Sequence, residues 1–263
     1  MAVREELKAQ EITGREHVEE TRERAREFIK SVTPLELSLA EQALLAEGLT
    51  DHDLRDLCGV HLEVIGESIK KSQAALPQGH PVHTLMEEHR VILGQLETTA
   101  TALAKLGTGD PGRDLELLGV INVAHHLRET EKHHQCEERA LFTAMERHGI
   151  TGPPRIMRAE HDLLRPKKRQ LEAAAARADL DLVEEAGEYL VKELSEHIYK
   201  EDDILYPAAV DAIPPYAWVE IKEQCDAIGY CCFTPGQRQT AVGGPVFGPP
   251  SHPPGKIHFS IGT

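Results

Sequence analysis

The stretch HHQCEERALFTAMERHG (133–149) is echoed further along the chain by HIYKEDDILYPAAVD (197–211). Laid on each other without a gap, His133 falls on His197, Glu137 on Glu201, Glu138 on Asp202, Leu141 on Leu205 and Phe142 on Tyr206. Each copy is a His, a carboxylate four residues on, a second carboxylate at five, then an apolar pair. Four residues along an α-helix make a little over one turn, a rise of roughly 6 Å, so the His and the Glu look the same way from adjacent turns. That spacing lets one imidazole and one carboxylate share a metal ion. Two such helices face to face offer two His and two Glu to a pair of ions, as in carboxylate-bridged dimetal bundles.

Around this pair the chain reads as helical throughout. Thr33-Pro34 looks like an N-cap and first helical position for LELSLAEQALLAEG, which Gly48 closes. Thr50 or Asp51 opens a further helix that ends near 77–79, and residues 1–30 read as an exposed charged helix. His80-Pro81 starts the first long helix, with apolar positions 85, 92, 93, 96 and 103 forming one stripe. GTGDPG (107–112) is a loop by composition. Three more long helices follow, from about Asp114 to Arg147, from Pro153 or Pro154, and from about Asp181 to Asp211. Pro166 lies inside the third, where it should remove a hydrogen bond from the carbonyl of Asp162 and kink the helix. The expected fold is all-α: an up-down-up-down four-helix bundle (79–213), a small helical domain before it (1–78), and a Pro/Gly-rich helix and loop arm after it (214–263), with one short strand expected near the end.

Composition narrows the function. The chain has 263 residues, 44 acidic against 29 basic, and a formal charge of −15. Such a surface repels phosphate backbones and anionic lipid, so nucleic acid and membrane are poor partners. Nothing approaches the ~20 apolar residues of a membrane span, and the charged start has no signal-peptide core, so a cytoplasmic location is expected. Five cysteines (58, 136, 225, 231, 232) without a framework spacing read as reduced, unconnected thiols. Adjacent Cys231 and Cys232 have a redox-pair reading as the alternative, and Cys58 with His61 has a zinc-face alternative.

Each long helix carries an inward candidate: His89, then His133 with Glu137, then His161, then His197 with Glu201. A lone His on an amphipathic helix is usually core or surface, and that suffices for His17, His148, His252 and His258. It does not suffice for a duplicated His-x-x-x-Glu, because buried Glu is rare unless paired. Imidazole plus carboxylate without thiolate suits iron, manganese or zinc. Four His and two Glu are too many for one tetrahedral zinc. Tyr199 and Tyr206 flank the fourth-helix pair and read as packing, with a hydrogen-bond or radical role as the alternative.

The segments EKHHQCEERALFTAMERHGI, IMRAEH and HIYKEDDILYP resemble the hemerythrin-like HHE cation-binding domains, including the repair-of-iron-centres proteins. REFIKSVTPLELSLAEQALLAEGL, LRDLCGVHLEVIGESI and QGHPVHTLMEEH resemble the segment of unknown function often fused ahead of them. The resemblance implies two non-haem iron ions bridged by carboxylate and oxo or hydroxo groups, with zinc or manganese as lesser alternatives. It carries over His89, His133, Glu137, His161, His197 and Glu201 as ligands. It departs at Met157, where hemerythrins place another His, so a fifth imidazole is missing or comes from elsewhere; His126, His61, His80 and His83 are the candidates. The resemblance also leaves Glu137 or Glu138, and Glu201 or Asp202, as the metal-facing acids, with the others and Glu160 orienting imidazoles. The function implied is sensing or detoxifying O2, NO or peroxide. The alternatives are an iron donor or store, and a helical interaction module with a structural metal whose N-terminal domain binds a protein partner.

Overall fold

The computed structural model describes residues 32–48, 50, 76–106 and 112–232, all helix and connection with no strand among them. Helix α1 (Pro34–Ala46) starts as its sequence dictates. The Thr33 hydroxyl accepts from the Glu36 N–H at 3.2 Å, and the Glu36 carboxylate accepts from the Thr33 N–H at 2.8 Å. It ends at Gly48, whose φ of +107° a residue with a Cβ would resist. Helix α2 (Pro81–Leu106) is the first of the bundle. The second is composite: α3 (Arg113–Glu129), α4 (Glu131–Cys136), the π-helical turn π1 (Glu137–Leu141) and α5 (Phe142–Arg147). Then come α6 (Gly152–Ala176) and α7 (Leu180–Lys200), the latter continued by π2 (Glu201–Leu205) and α8 (Tyr206–Ala212), and finally α9 (Ala217–Ile228).

The long helices close a ring in which α2 packs on α3, α3 on α6, α6 on α7 and α7 on α2. Short connections between successive neighbours give the up-down-up-down order. Gly187 allows the last contact, because a Cβ there would lie 2.7 Å from Leu103 Cδ1. Pro166 does not interrupt α6. It is exposed, as is Asp162, so the freed carbonyl lies on the solvent side of the helix.

The apolar interior is split into two clusters. One holds Val82, Leu85, Phe142, Met145, Ile156, Leu205 and Trp218. The other holds Ile92, Leu96, Leu127, Leu164, Leu171, Leu190 and Leu194. Between these positions along each long helix stand the sequence-predicted His and Glu, so a polar layer crosses a bundle that is apolar on both sides of it.

Helix α1 buries the stripe Leu37, Ala40, Glu41 and Leu44. Filling those Leu positions contributes about 1.5–3 kcal/mol each. It packs on α6, α8 and π2. Gln42 fixes the seam: its side-chain oxygen accepts from the N–H groups of Thr151 (2.7 Å) and Gly152 (3.2 Å), and its amide donates to the Gly149 carbonyl (3.3 Å). Helix α9 packs on π1, α4 and α2, burying Trp218, Ile221 and Cys225. It also corrects the cysteine reading. Cys136 and Cys225 form a disulfide, because the packing of α9 on α4 brings Cα atoms 89 residues apart to 4.9 Å. One ground for expecting a reducing compartment is thereby removed. The helices expected over 1–30 and 51–73, the loop at 107–111, Cys58, His61 and the terminal strand lie outside the described residues.

Candidate metal centre

Both copies of the motif break the α-helix at the same place. Glu137 opens π1 and Glu201 opens π2. A π-turn holds an extra residue, and here the first acid faces the interior while the next stands behind the imidazole of a neighbouring helix. The carbonyl of Glu138 is held by the Thr143 hydroxyl at 3.2 Å and Arg158 at 3.2 Å. After π2, Pro207 sits in the first turn of α8, where a missing N–H costs least.

The second acid of each copy, and an acid on each partner helix, then stands behind an imidazole. His89 Nδ1–H donates to Asp202 at 2.8 Å and His133 to Glu88 at 2.8 Å. His161 donates to Glu138 at 2.7 Å and His197 to Glu160 at 2.8 Å. A carboxylate can only accept, so Nδ1 carries the proton in all four rings and the Nε2 lone pair of a neutral ring points inward. This is how ligating histidines are normally held. Arg165 braces Glu138 at 2.8 Å, and Lys200 braces Glu160 at 2.6 Å.

The inward nitrogens converge on Glu137 and Glu201. Glu201 divides its oxygens: Oε2 is 3.1 Å from His89 Nε2, and Oε1 is 3.0 Å from His197 Nε2 and 3.7 Å from His161 Nε2. Glu137 Oε2 lies 3.4 Å from His133 Nε2 and 3.5 Å from His161 Nε2. His89 and His133 bring their Nε2 atoms within 2.9 Å of each other. Two lone pairs at that distance repel unless a proton or a cation stands between them. His89, His133, Glu137 and Glu201 form one group with ligand atoms mutually within 4.8 Å, and His134, His161 and His197 form another.

His134, not among the residues singled out from the sequence, is a further imidazole in this layer. It is buried, stacked on His161 with ring centroids 3.9 Å apart. Lys168 Nζ is 3.2 Å from its Nε2 and 2.6 Å from the Thr130 hydroxyl, and its Nδ1 has no protein partner. Burial, with His161 and Lys168 alongside, pushes His134 well below the usual imidazole range, leaving the neutral form that a metal needs. Burial likewise brings Lys168 down to about 8. The HH doublet was the available signal for His134.

Six of the eight buried side-chain atoms without a hydrogen-bond partner among the described residues belong to this layer: His134 Nδ1, Glu137 Oε2, His161 Nε2, His197 Nε2 and both oxygens of Glu201. Native interiors rarely leave such atoms unsatisfied, and a cluster of them calls for an ion. Protons are the alternative occupants. Burial opposes charge on His161, yet Glu137, Glu138 and Glu201 outweigh it and carry the ring to about 10. Burial opposes charge on Glu201 too, and His197, His161 and His89 still hold it well below the ordinary carboxylate range. The donor set thus fits divalent cations of the imidazole and carboxylate class.

Tyr206, for which the sequence offers packing first and a hydrogen-bond role as the alternative, reaches the centre. Its hydroxyl donates to Glu137 Oε1 at 2.7 Å and lies 3.4 Å from His89 Nε2. His80 and His126, candidates for a further imidazole, lie elsewhere. His80 caps α2, its Nδ1 accepting from the Val82 N–H at 3.2 Å, and its ring lies on Trp218. His126 is exposed beside Glu129, because the break at Thr130 turns α3 relative to α4. Met157 is ordinary core.

Comparison with known proteins agrees with this geometry. Residues 80–209 match the hemerythrin HHE cation binding domain, and residues 8–71 match a family of unknown function, DUF438. No curated protein matches the chain. No helix among the described residues is long and apolar enough to cross a membrane.

Proposed function

This chain belongs to the hemerythrin HHE cation-binding proteins, with the DUF438 segment ahead of the metal domain, and on that footing we propose that it is a non-haem di-iron protein that binds or reacts with O2, NO or peroxide. The observation that carries the reading is Glu201, whose two oxygens face two different imidazole groups while neither has a hydrogen-bond partner. A carboxylate so placed could serve two ions at once. His89 and His133 would hold one ion, and His134, His161 and His197 the other, with Glu137 and Glu201 shared.

Bound iron supplies one-electron chemistry and an affinity for small diatomic ligands. The chain supplies the rest. Glu88, Glu138, Glu160 and Asp202 fix the imidazole tautomers and raise their donor strength. The two apolar clusters exclude bulk water and strengthen every charge interaction between them. The Tyr206 hydroxyl offers a proton at the edge of the site. Helix α1, packed on π2, limits exchange there and favours sensing or detoxification over simple oxygen carriage. An iron-donor role draws its support from a lacking fifth imidazole, a place that His134 would fill in the reading proposed here.

The test is the metal content of protein purified without added metal, with a visible spectrum before and after air and then NO. Two irons per chain, with absorption that changes on adding air or NO, is the expected result. One colourless zinc would replace the reading with a structural metal.

A further inference from the structure

The chain leaves α9 through Gly229, at φ +86°, and turns back onto the metal-bearing layer. The Cys231 N–H donates to Glu88 Oε1 at 2.6 Å, while the other oxygen of Glu88 accepts from His133 Nδ1 at 2.8 Å. Cys231 Sγ, a Glu88 oxygen and a His133 ring nitrogen lie mutually within 4.8 Å. The Sγ atoms of Cys231 and Cys232 are 2.8 Å apart, both thiols free and both partly exposed. A dithiol therefore stands one imidazole away from the inner face of the site and keeps part of its own surface exposed.

We infer that Cys231 and Cys232 are a redox pair that supplies two electrons for peroxide reduction at the centre. The inference rests on the di-iron reading above. The step balances with a hydroperoxide as oxidant: two S–H bonds and one O–O bond break, one S–S bond forms, and hydrogen peroxide leaves as two waters. The thiols are oxidised and the peroxide oxygens reduced. Closing the bond requires the sulfurs to move from 2.8 Å to about 2.05 Å, less than one ångström. A disulfide between adjacent residues is strained, and strained, accessible disulfides are the readily reduced kind, so an external thiol can reset the pair.

The experiment gives one equivalent of hydrogen peroxide to the full chain, iron-loaded and chelator-stripped, and follows the peptide carrying Cys231 and Cys232 by mass without reduction. Loss of two hydrogens from that peptide, at least an order of magnitude faster in the loaded protein and reversed by dithiothreitol, is expected. The C231S/C232S protein should load the same iron and consume the first equivalent of peroxide, then keep its oxidised spectrum until a reductant is added. Equal rates with and without iron, or intact thiols after the loaded protein has consumed peroxide, would overturn the dithiol role and leave the di-iron reading standing. Failure of the loaded protein to react with peroxide at all would likewise overturn the dithiol role alone, whereas failure to bind iron would overturn both.

Discussion

The two copies of the motif share a backbone and differ in what they add to it. Both place His and Glu four apart, both open a π-turn on the Glu, and both use the next acid to hold a neighbour's imidazole. At the residue after the His, the first copy has His134 and the second Ile198. Three after the His they have Cys136, bridged to α9, and Lys200, paired with Glu160. Nine after it they have Phe142, which is core, and Tyr206, which reaches Glu137. The common part builds a symmetric cage, and the differing positions make its two halves chemically unequal: an extra imidazole lies on one side, a hydroxyl on the other.

Removing the common part should have the largest effect. The double substitution Glu137→Ala, Glu201→Ala deletes both shared carboxylates and should abolish loading of the ion pair, read as metal per chain by elemental analysis. Two metals retained would sink the ligand assignment. His134→Ile, which makes the first copy like the second, should leave the His89/His133 side loaded and cost the other side its ion. Unchanged stoichiometry and affinity would return His134 to the role of a packed core residue.

Proton competition sharpens the same point. In metal-free protein the ring of His161 is raised from 6.5 to about 10 by its carboxylates, after burial has opposed this. The stability contributed by that bound proton is complete below about pH 6.5 and is lost as pH rises through about 10. A metal displaces the proton, so its uptake should release acid, and metal affinity should strengthen with rising pH. Thermal melts of stripped protein should fall across this alkaline window, while those of loaded protein should hold more nearly level. Parallel curves would mean that the ring carries no such proton.

Much of this was legible beforehand because helix signals are local. Thr33-Pro34 with Glu36, Pro81 and Gly48 carry their mechanism within a few residues, and the structure follows them. The His-x-x-x-Glu pairs were legible for the same reason. What was not legible depends on helical phase or tertiary packing. One residue of π-turn decides that Glu137 and Glu201 face the interior while Glu138 and Asp202 stand behind imidazoles; Pro207 hinted at an irregularity in one copy only. The turn at Thr130 takes His126 out of register and leaves His134 in. The Cys136–Cys225 bridge joins residues 89 apart, a pairing that no spacing rule reaches.

Substitutions behind the imidazoles test whether the halves are supported equally. Glu138→Gln and Asp202→Asn keep a hydrogen-bond acceptor but remove the charge, and each should weaken metal binding by roughly 10–100-fold in a chelator competition. Glu138 is also tied to Arg165 at 2.8 Å, so Glu138→Gln additionally removes one of the carboxylates around a partly buried cation and should lower the melting temperature as well. The smallest effect belongs to Tyr206→Phe, which makes the second copy like the first. The lost hydroxyl leaves one oxygen of Glu137 without its donor in a dry site, a cost of about 1–3 kcal/mol in the metal-free protein. With metal bound, Glu137 has another partner, so the cost should shrink and the metal content should be unchanged. If the hydroxyl serves the small ligand, NO or azide binding to loaded Tyr206→Phe protein should weaken even though the metal is retained. If ligand affinity and stoichiometry both stay level, Tyr206 is there to hold Glu137 before the metal arrives.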